Sequence, residues 1–211
     1  MGVGVLGAGA SFAAGVAHLS RPREALLPLV PIVDRAGWGG VEPNIDGSVE
    51  GRYDGALNPS GWMEYAVPLS VALKNLILHH TATGPEARVA DIQAMHMRTR
   101  GYADIGYHYL IGADGVIAAG RPVNVRGAHT GGHNTGSIGV ALIGNFEQIA
   151  PTDAQLISLG RLAQALINDF WLARLGGHRD FQPGATVCPG ANFWPQVPVL
   201  AERLGVAYGP G

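Results

Sequence analysis

Apolar positions recur along the chain in two rhythms, and each implies an element. "PTDAQLISLGRLAQALINDFW" sets Leu156, Leu159, Leu162, Leu166, Ile167 and Phe170 on one stripe, the spacing of an amphipathic helix. Thr152, followed three residues later by Gln155, supplies a capping box, so this should be the longest helix. "PEARVADIQAMHMRTRG" repeats the rhythm with Val89, Ile92 and Met95; Pro85 and Glu86 favour a helix start and Gly101 a stop. "NFWPQVPVLAERLG" reads as a last helix, confined by Pro195 and Pro198 to the residues after them.

The other apolar runs are short and continuous. "VALKNLILHH", Val71 to His80, lies between Ser70 and a breaker cluster from Thr81 to Pro85, which fits a buried strand. Strand side chains alternate, so His79 and His80 should point to opposite faces. "IGYHYLIGADGVIAAGR" places two apolar runs around Ala113, Asp114 and Gly115, a hairpin signal, and "SIGVALIGN" is another strand. From Ser20 to Gly61 Pro, Gly and Asn recur, which reads as a wrapping segment. Strands alternating with helices, plus one antiparallel hairpin, predict an α/β domain with a central mixed β-sheet flanked by helices.

A length of 211 residues suits one domain. Charged residues are 14% of the chain against about 25% in an average soluble protein, and 32 Gly and 14 Pro make it loop-rich. A net charge of -2 without a Lys/Arg cluster argues against a nucleic-acid partner. The apolar run from Gly2 to Ala17 is too short, and too rich in Gly and Ala, for a stable membrane span. It has the h-region length of a signal peptide, with Gly15 and Ala17 as a cleavage pair, yet no Lys or Arg precedes it. It is either an export signal lacking its basic start, which implies a secreted or envelope protein, or a tail on a cytoplasmic one.

The single cysteine cannot form an internal disulfide, so Cys188 is a small core residue, a nucleophile or a metal ligand. In "GGHRDFQPGATVCPG", Pro183 and Gly184 make a turn that would fold Cys188 back toward His178. Imidazole and thiolate are zinc donors, and His79, closing a buried strand, is the best third ligand. Three protein ligands leave the fourth position to water, the pattern of a catalytic zinc. Two neutral imidazoles and one thiolate leave a charge of about +1, enough to bring a water's pKa toward about 7 and to polarise a carbonyl, and amide hydrolysis follows. Spacing alone is weak support, since a lone loop His is more often a packing residue and a lone Cys an inert buried thiol. The other catalytic reading is a thiol hydrolase with Cys188 as nucleophile and His178 as base, although Pro189 and Gly190 follow the cysteine instead of a helix or a cation.

Four motifs decide between these readings. "LILHHTATG", "DIGYHYLIGADG", "GAHTGGHNTGSIGVALIGNF" and "GGHRDFQPGATVCPG", in that order, resemble the peptidoglycan recognition protein and zinc-dependent N-acetylmuramoyl-L-alanine amidase (type 2 amidase) family. "VDRAGWGG" is similar to that family's opening segment. The resemblance runs from Pro31 to Leu204, which makes 31–205 an amidase domain between an N-terminal segment and linker, 1–30, and a tail, 206–211. It implies a monomeric enzyme that cuts the amide between N-acetylmuramic acid and L-alanine in peptidoglycan or muropeptides with zinc-activated water, in an open groove at the sheet edge. The implied ligands are His79, His178 and Cys188. The implied catalytic residues are Tyr107 of "DIGY" and Thr186, where members carry Lys or Thr; Tyr107 would orient the water or donate to an oxyanion, and Thr186 would share the second task. A related branch has a Glu base where Ala141 stands, and recognition proteins also have a small residue there. Many animal members carry a disulfide just after "HHTAT"; its absence implies a bacterial or phage origin. The alternative is a recognition protein that holds muropeptides without cutting them, although such relatives typically lose the cysteine.

The same resemblance suggests substrate contacts. His129 of "GAHT" is either a groove contact or a loop support, and His96 belongs at the groove rim. Tyr102 either floors the peptide groove or is a core aromatic. Arg121 and Asn124 fall where relatives read the third stem residue, diaminopimelate or lysine, or else on an exposed hairpin. His80 should pack behind the sheet, His108 should face away from Tyr107, and His133 and His18 should be solvated. Arg179 should pair with Asp180 or another carboxylate.

Overall fold

The computed structural model describes Met1 and residues 24–211, so the run from Gly2 to Ala17 and His18 lie outside the described residues. Strands β1 (Ile32–Val33), β2 (Asn75–His80), β3 (Tyr109–Ile111), β4 (Ile117–Ala119), β5 (Ser137–Leu142), β6 (Arg174–Gly177) and β7 (Ala207–Tyr208) form one sheet in the order β1-β4-β3-β5-β2-β6-β7. Neighbours are parallel except β3 and β4, the expected hairpin. The helices are α1 (Leu69–Ala72), α2 (Val89–Thr99), α3 (Asp153–Phe170), α4 (His178–Phe181) and α5 (Gln196–Arg203).

β2 and β5 pair residue for residue from Asn75 with Ser137 to His80 with Leu142, and alternation divides their side chains between two unequal faces. Leu76, Leu78, Ile138, Val140 and Leu142 join Leu159, Leu162, Leu166 and Ile167 of α3 in the main core. Thr152 and Gln155 exchange the hydrogen bonds of the capping box that starts α3. Each fully buried Leu or Ile stabilises this face by about 1.5–3 kcal/mol. The opposite face carries Ile77, His79, Gly139 and Ala141, and its cluster is small: Ile92, Ile105, Leu110, Ala141 and Ile143. Loops cover the rest, and this thin cover is where the groove forms.

Several boundaries differ from the sequence reading. Pro68 opens the one-turn helix α1, and the ladder begins only at Asn75, so Val71 and Ala72 are not in the strand. Gly84 to Ala87 closes as a turn, and α2 starts at Val89 behind Arg88. "RLGG" is a strand, held between β2 and β7 despite two glycines. A Cβ on Gly177 would come 2.7 Å from Pro189 Cδ, so this glycine lets the Cys188 loop lie flat on β6. Residues 207–208 are not a free tail, because they extend the sheet beside Arg174 and Leu175.

Candidate metal centre

Register brings the first two donors together. Leu78 pairs with Gly177, so His79 and His178 follow side by side at the carboxyl ends of two parallel strands, with ring centroids 4.7 Å apart. This is the carboxyl-end rim where open α/β sheets hold ligands; β2 is an interior strand, so the expected edge is this rim and not a lateral one. The third donor arrives from the loop: Arg179 N donates to Cys188 O at 2.8 Å and His80 N to Cys188 Sγ at 3.4 Å. The donor atoms of His79, His178 and Cys188 all lie within 4.8 Å of one another.

Two tests bear on a zinc ion here. Cys188 Sγ stands 3.6 Å from His79 Nδ1. Tetrahedral zinc with bonds of about 2.05 Å to nitrogen and about 2.3 Å to sulfur requires a separation of about 3.6 Å. Two imidazoles and a thiolate also form a set too soft for magnesium or calcium. His178 Nε2–H donates to Gln182 Oε1 at 2.7 Å, while Gln182 Nε2 donates to Gly131 O at 2.7 Å, which leaves His178 Nδ1 its lone pair. Burial, then the neighbouring histidines, holds His79 well below its ordinary pKa, and burial lowers His178 as well. Burial pushes the Cys188 thiol up to about 12. Without a cation beside it that thiol stays protonated, which argues against its acting as a free nucleophile.

His178 and Cys188 border a bowl of about 220 Å³ that Tyr107, Thr186, His96 and Arg100 also line, while His79 is buried. The bowl shares Arg100, Tyr102, His129 and His178 with a groove of about 540 Å³ that reaches Val49 and Glu50. Tyr107 lies 5.2 Å from the His79 ring; burial, reinforced by Cys188, raises its pKa, so the phenol keeps its proton. Thr186 Oγ1 accepts from Cys188 N at 3.1 Å, which leaves the hydroxyl proton available. The arrangement offers a soft metal site beside two neutral O–H donors.

A family model described as N-acetylmuramoyl-L-alanine amidase matches residues 70–191, a span holding all three donors, Tyr107 and Thr186. The chain belongs to this family. Among relatives, peptidoglycan-recognition protein SC2 of Drosophila melanogaster is 34% identical over 178 residues, covering 80% of this chain and 85% of the relative. The crystal structure of Drosophila peptidoglycan recognition protein SD is similar with a TM-score of 0.63 and 34% identity, covering 79% of this chain and 92% of that one. The endolysin N-acetylmuramoyl-L-alanine amidase LysCS of Clostridium intestinale has a TM-score of 0.59 and 33% identity, covering 68% and 92%.

Within this amidase-family fold the other candidates sort by position. Tyr102 lines both bowl and groove. His96 is buried against Tyr107 and Tyr102, with Nδ1 accepting from Gly106 N at 2.9 Å. His129 borders the groove while its nitrogens face His79 and Ser137. Arg121 and Asn124 are corrections, since neither lines bowl or groove. Arg121 is 2% exposed, and its N–H groups go to the Glu50 carboxylate and to the carbonyls of Ile105, Arg126 and Asp104. Asn124 is exposed, and its carbonyl accepts from Tyr65 N.

Among the described residues Arg179 makes no ion pair; its guanidinium lies 4.3 Å over Trp194, and Asp180 instead accepts from Gly177 N and Trp194 Nε1. His80 does pack behind the sheet, with Nδ1 accepting from Phe146 N. His108 does not turn away from the site. β3 begins only at Tyr109, so Tyr107 and His108 are not constrained to alternate, and the His108 ring stands 5.6 Å from that of His129. His133 is half-buried against Phe181. The sequence reading missed Arg100, Gln182 and Glu50. Gln182, four residues after His178, carried the one visible signal, the i, i+4 spacing of a helical turn.

Proposed function

We propose that this protein is a zinc-dependent amidase that hydrolyses the bond between the lactyl group of N-acetylmuramic acid and L-alanine in peptidoglycan or muropeptides. One observation carries the reading: two imidazoles and the only thiol converge at zinc spacing, and His178 and Cys188 of this set line an open bowl. His79, His178 and Cys188 would hold the ion, which when bound polarises a carbonyl and acidifies water. Tyr107 keeps a proton on its phenolic oxygen and donates it as a hydrogen bond to the carbonyl oxygen as negative charge develops there. Thr186 adds a second, weaker donor from the loop that carries Cys188. Ala141, paired with His79 across the ladder, offers no base, so proton transfer falls to other groups. The groove beside the bowl receives the stem peptide.

The experiment is release of L-alanine amino groups from purified muropeptides, with chelator and then with zinc restored. Release that disappears on chelation and returns with zinc, and that is absent in Cys188→Ser, is the expected result. The names of the recognition-protein relatives favour a second reading, binding without cleavage. Zinc uptake and muropeptide binding without any release would establish that reading instead.

A further inference from the structure

We propose that His129 is a positioning residue of the metal centre: through one hydrogen bond it fixes the tautomer of His79, and it makes no hydrogen bond to substrate. The inference rests on the zinc reading above and extends it to a residue outside the donor set.

The His129 ring occupies a seat built for it. A Cβ on Gly139 of β5 would lie 2.6 Å from His129 Cγ and Cδ2, and one on Gly127 would also collide with the ring. Both positions therefore need glycine for the imidazole to lie flat on the sheet. The backbone is pinned as well, because Asn134 Oδ1 accepts from His129 N at 2.8 Å and from Thr130 N at 2.7 Å. Thr130 Oγ1 closes the seat, 3.0 Å from His129 Nδ1 and 3.4 Å from His79 Nε2.

The direction of each hydrogen bond follows from one end of the chain. Ser137 Oγ lies 2.6 Å from His133 O and 3.1 Å from Asn134 O, and a carbonyl only accepts, so the serine hydroxyl donates there. Its oxygen is then the acceptor for His129 Nε2–H, 3.4 Å away. A neutral imidazole with its proton on Nε2 has a lone pair on Nδ1, and that atom lies 3.0 Å from His79 Nε2. His79 must supply the proton of this bond. Its own Nδ1 is left with the lone pair, aimed at Cys188 Sγ 3.6 Å away. The ring of His129 borders the groove, yet both of its nitrogens are used inward, so none remains for a ligand.

Zinc affinity and ring tautomers test this directly. Competition with a chromophoric chelator should show His129→Ala binding zinc about 10–100-fold more weakly, the usual cost of losing such a partner. His129→Asn, whose amide oxygen can accept from His79 Nε2–H, should recover most of that loss. Gly139→Ala, which reaches the metal only by displacing the ring, should weaken zinc in the same sense. The KM for muropeptide in zinc-saturated His129→Asn should stay within about twofold of the wild type. Wild-type zinc affinity in all three variants with a raised KM would overturn the inference in favour of a substrate contact. Long-range nitrogen NMR of the metal-free wild type needs no variant: His79 should carry its proton on Nε2, and a proton on Nδ1 would refute the chain. A wild-type protein that takes up no zinc would refute the metal centre itself, and this inference with it.

Discussion

Acid should unfold the metal-free protein far sooner than its net charge suggests: burial lowers His79, His129 and His178, and two buried histidines that are not donors, His96 and His108, add a loss of their own. Burial is the main cause holding His96 and His108 down to about 4, and they are 4% and 1% exposed. His108 is fixed by hydrogen bonds to Gly139 N at 2.9 Å and Val125 O at 2.9 Å. In the unfolded chain each titrates at about 6.5. Below that value the unfolded state binds more protons than the folded one, so stability is fully present above pH 6.5 and is lost as pH falls toward 4. Each histidine costs about 2 kcal/mol at pH 5 and about 3 kcal/mol at pH 4, about 6 kcal/mol together, against a typical total of about 5–15 kcal/mol. Urea midpoints followed by circular dichroism between pH 7 and pH 4.5, with chelator present, measure this loss. His108→Gln removes one titrating group while its amide can still reach Val125 O, so its midpoint should fall less steeply with pH. Equal slopes in wild type and variant would refute the assignment of His108 as a buried neutral ring.

Three further outcomes are expected. Tyr107→Phe should keep zinc but lower kcat by about 10²–10³-fold, the cost of one oxyanion donor; loss of zinc in metal analysis would show that the phenol supports the donor set instead. Glu50→Ala should destabilise the protein by about 3–5 kcal/mol in urea titrations, because it strands the buried Arg121 guanidinium, and Glu50→Gln should cost less; their side chains are 10% and 1% exposed. Zinc at 100 times its dissociation constant should add about 2.7 kcal/mol and raise the melting temperature by about 5–10 °C, with no rise in Cys188→Ser.

Legibility in the sequence followed locality. α3 could be read because its stripe and its capping box are written within one segment, and the tertiary fold kept both. β2 and β5 could be read because interior strands of a parallel sheet are continuous apolar runs. β6 could not. Its "RLGG" has one apolar side chain, and its order comes from β2 and β7, which are distant in sequence. Arg121 shows the same limit: a cation in a hairpin loop reads as a surface group until Glu50, 71 residues earlier, is found against it.

The amino-acid sequence by itself determined the α/β class, the family and the identity of the residues that could bind a soft metal, since residue type and motif order are local properties of the chain. The tertiary structure alone decided that His79 and His178 are register neighbours, that Cys188 meets them at 3.6 Å from His79 Nδ1, and that His129 turns one nitrogen to His79 and the other to Ser137 while Arg121 turns to Glu50. Those outcomes depend on which strands pair and where glycines let loops approach. Pairing between distant segments is a property of the packed chain and of no segment within it.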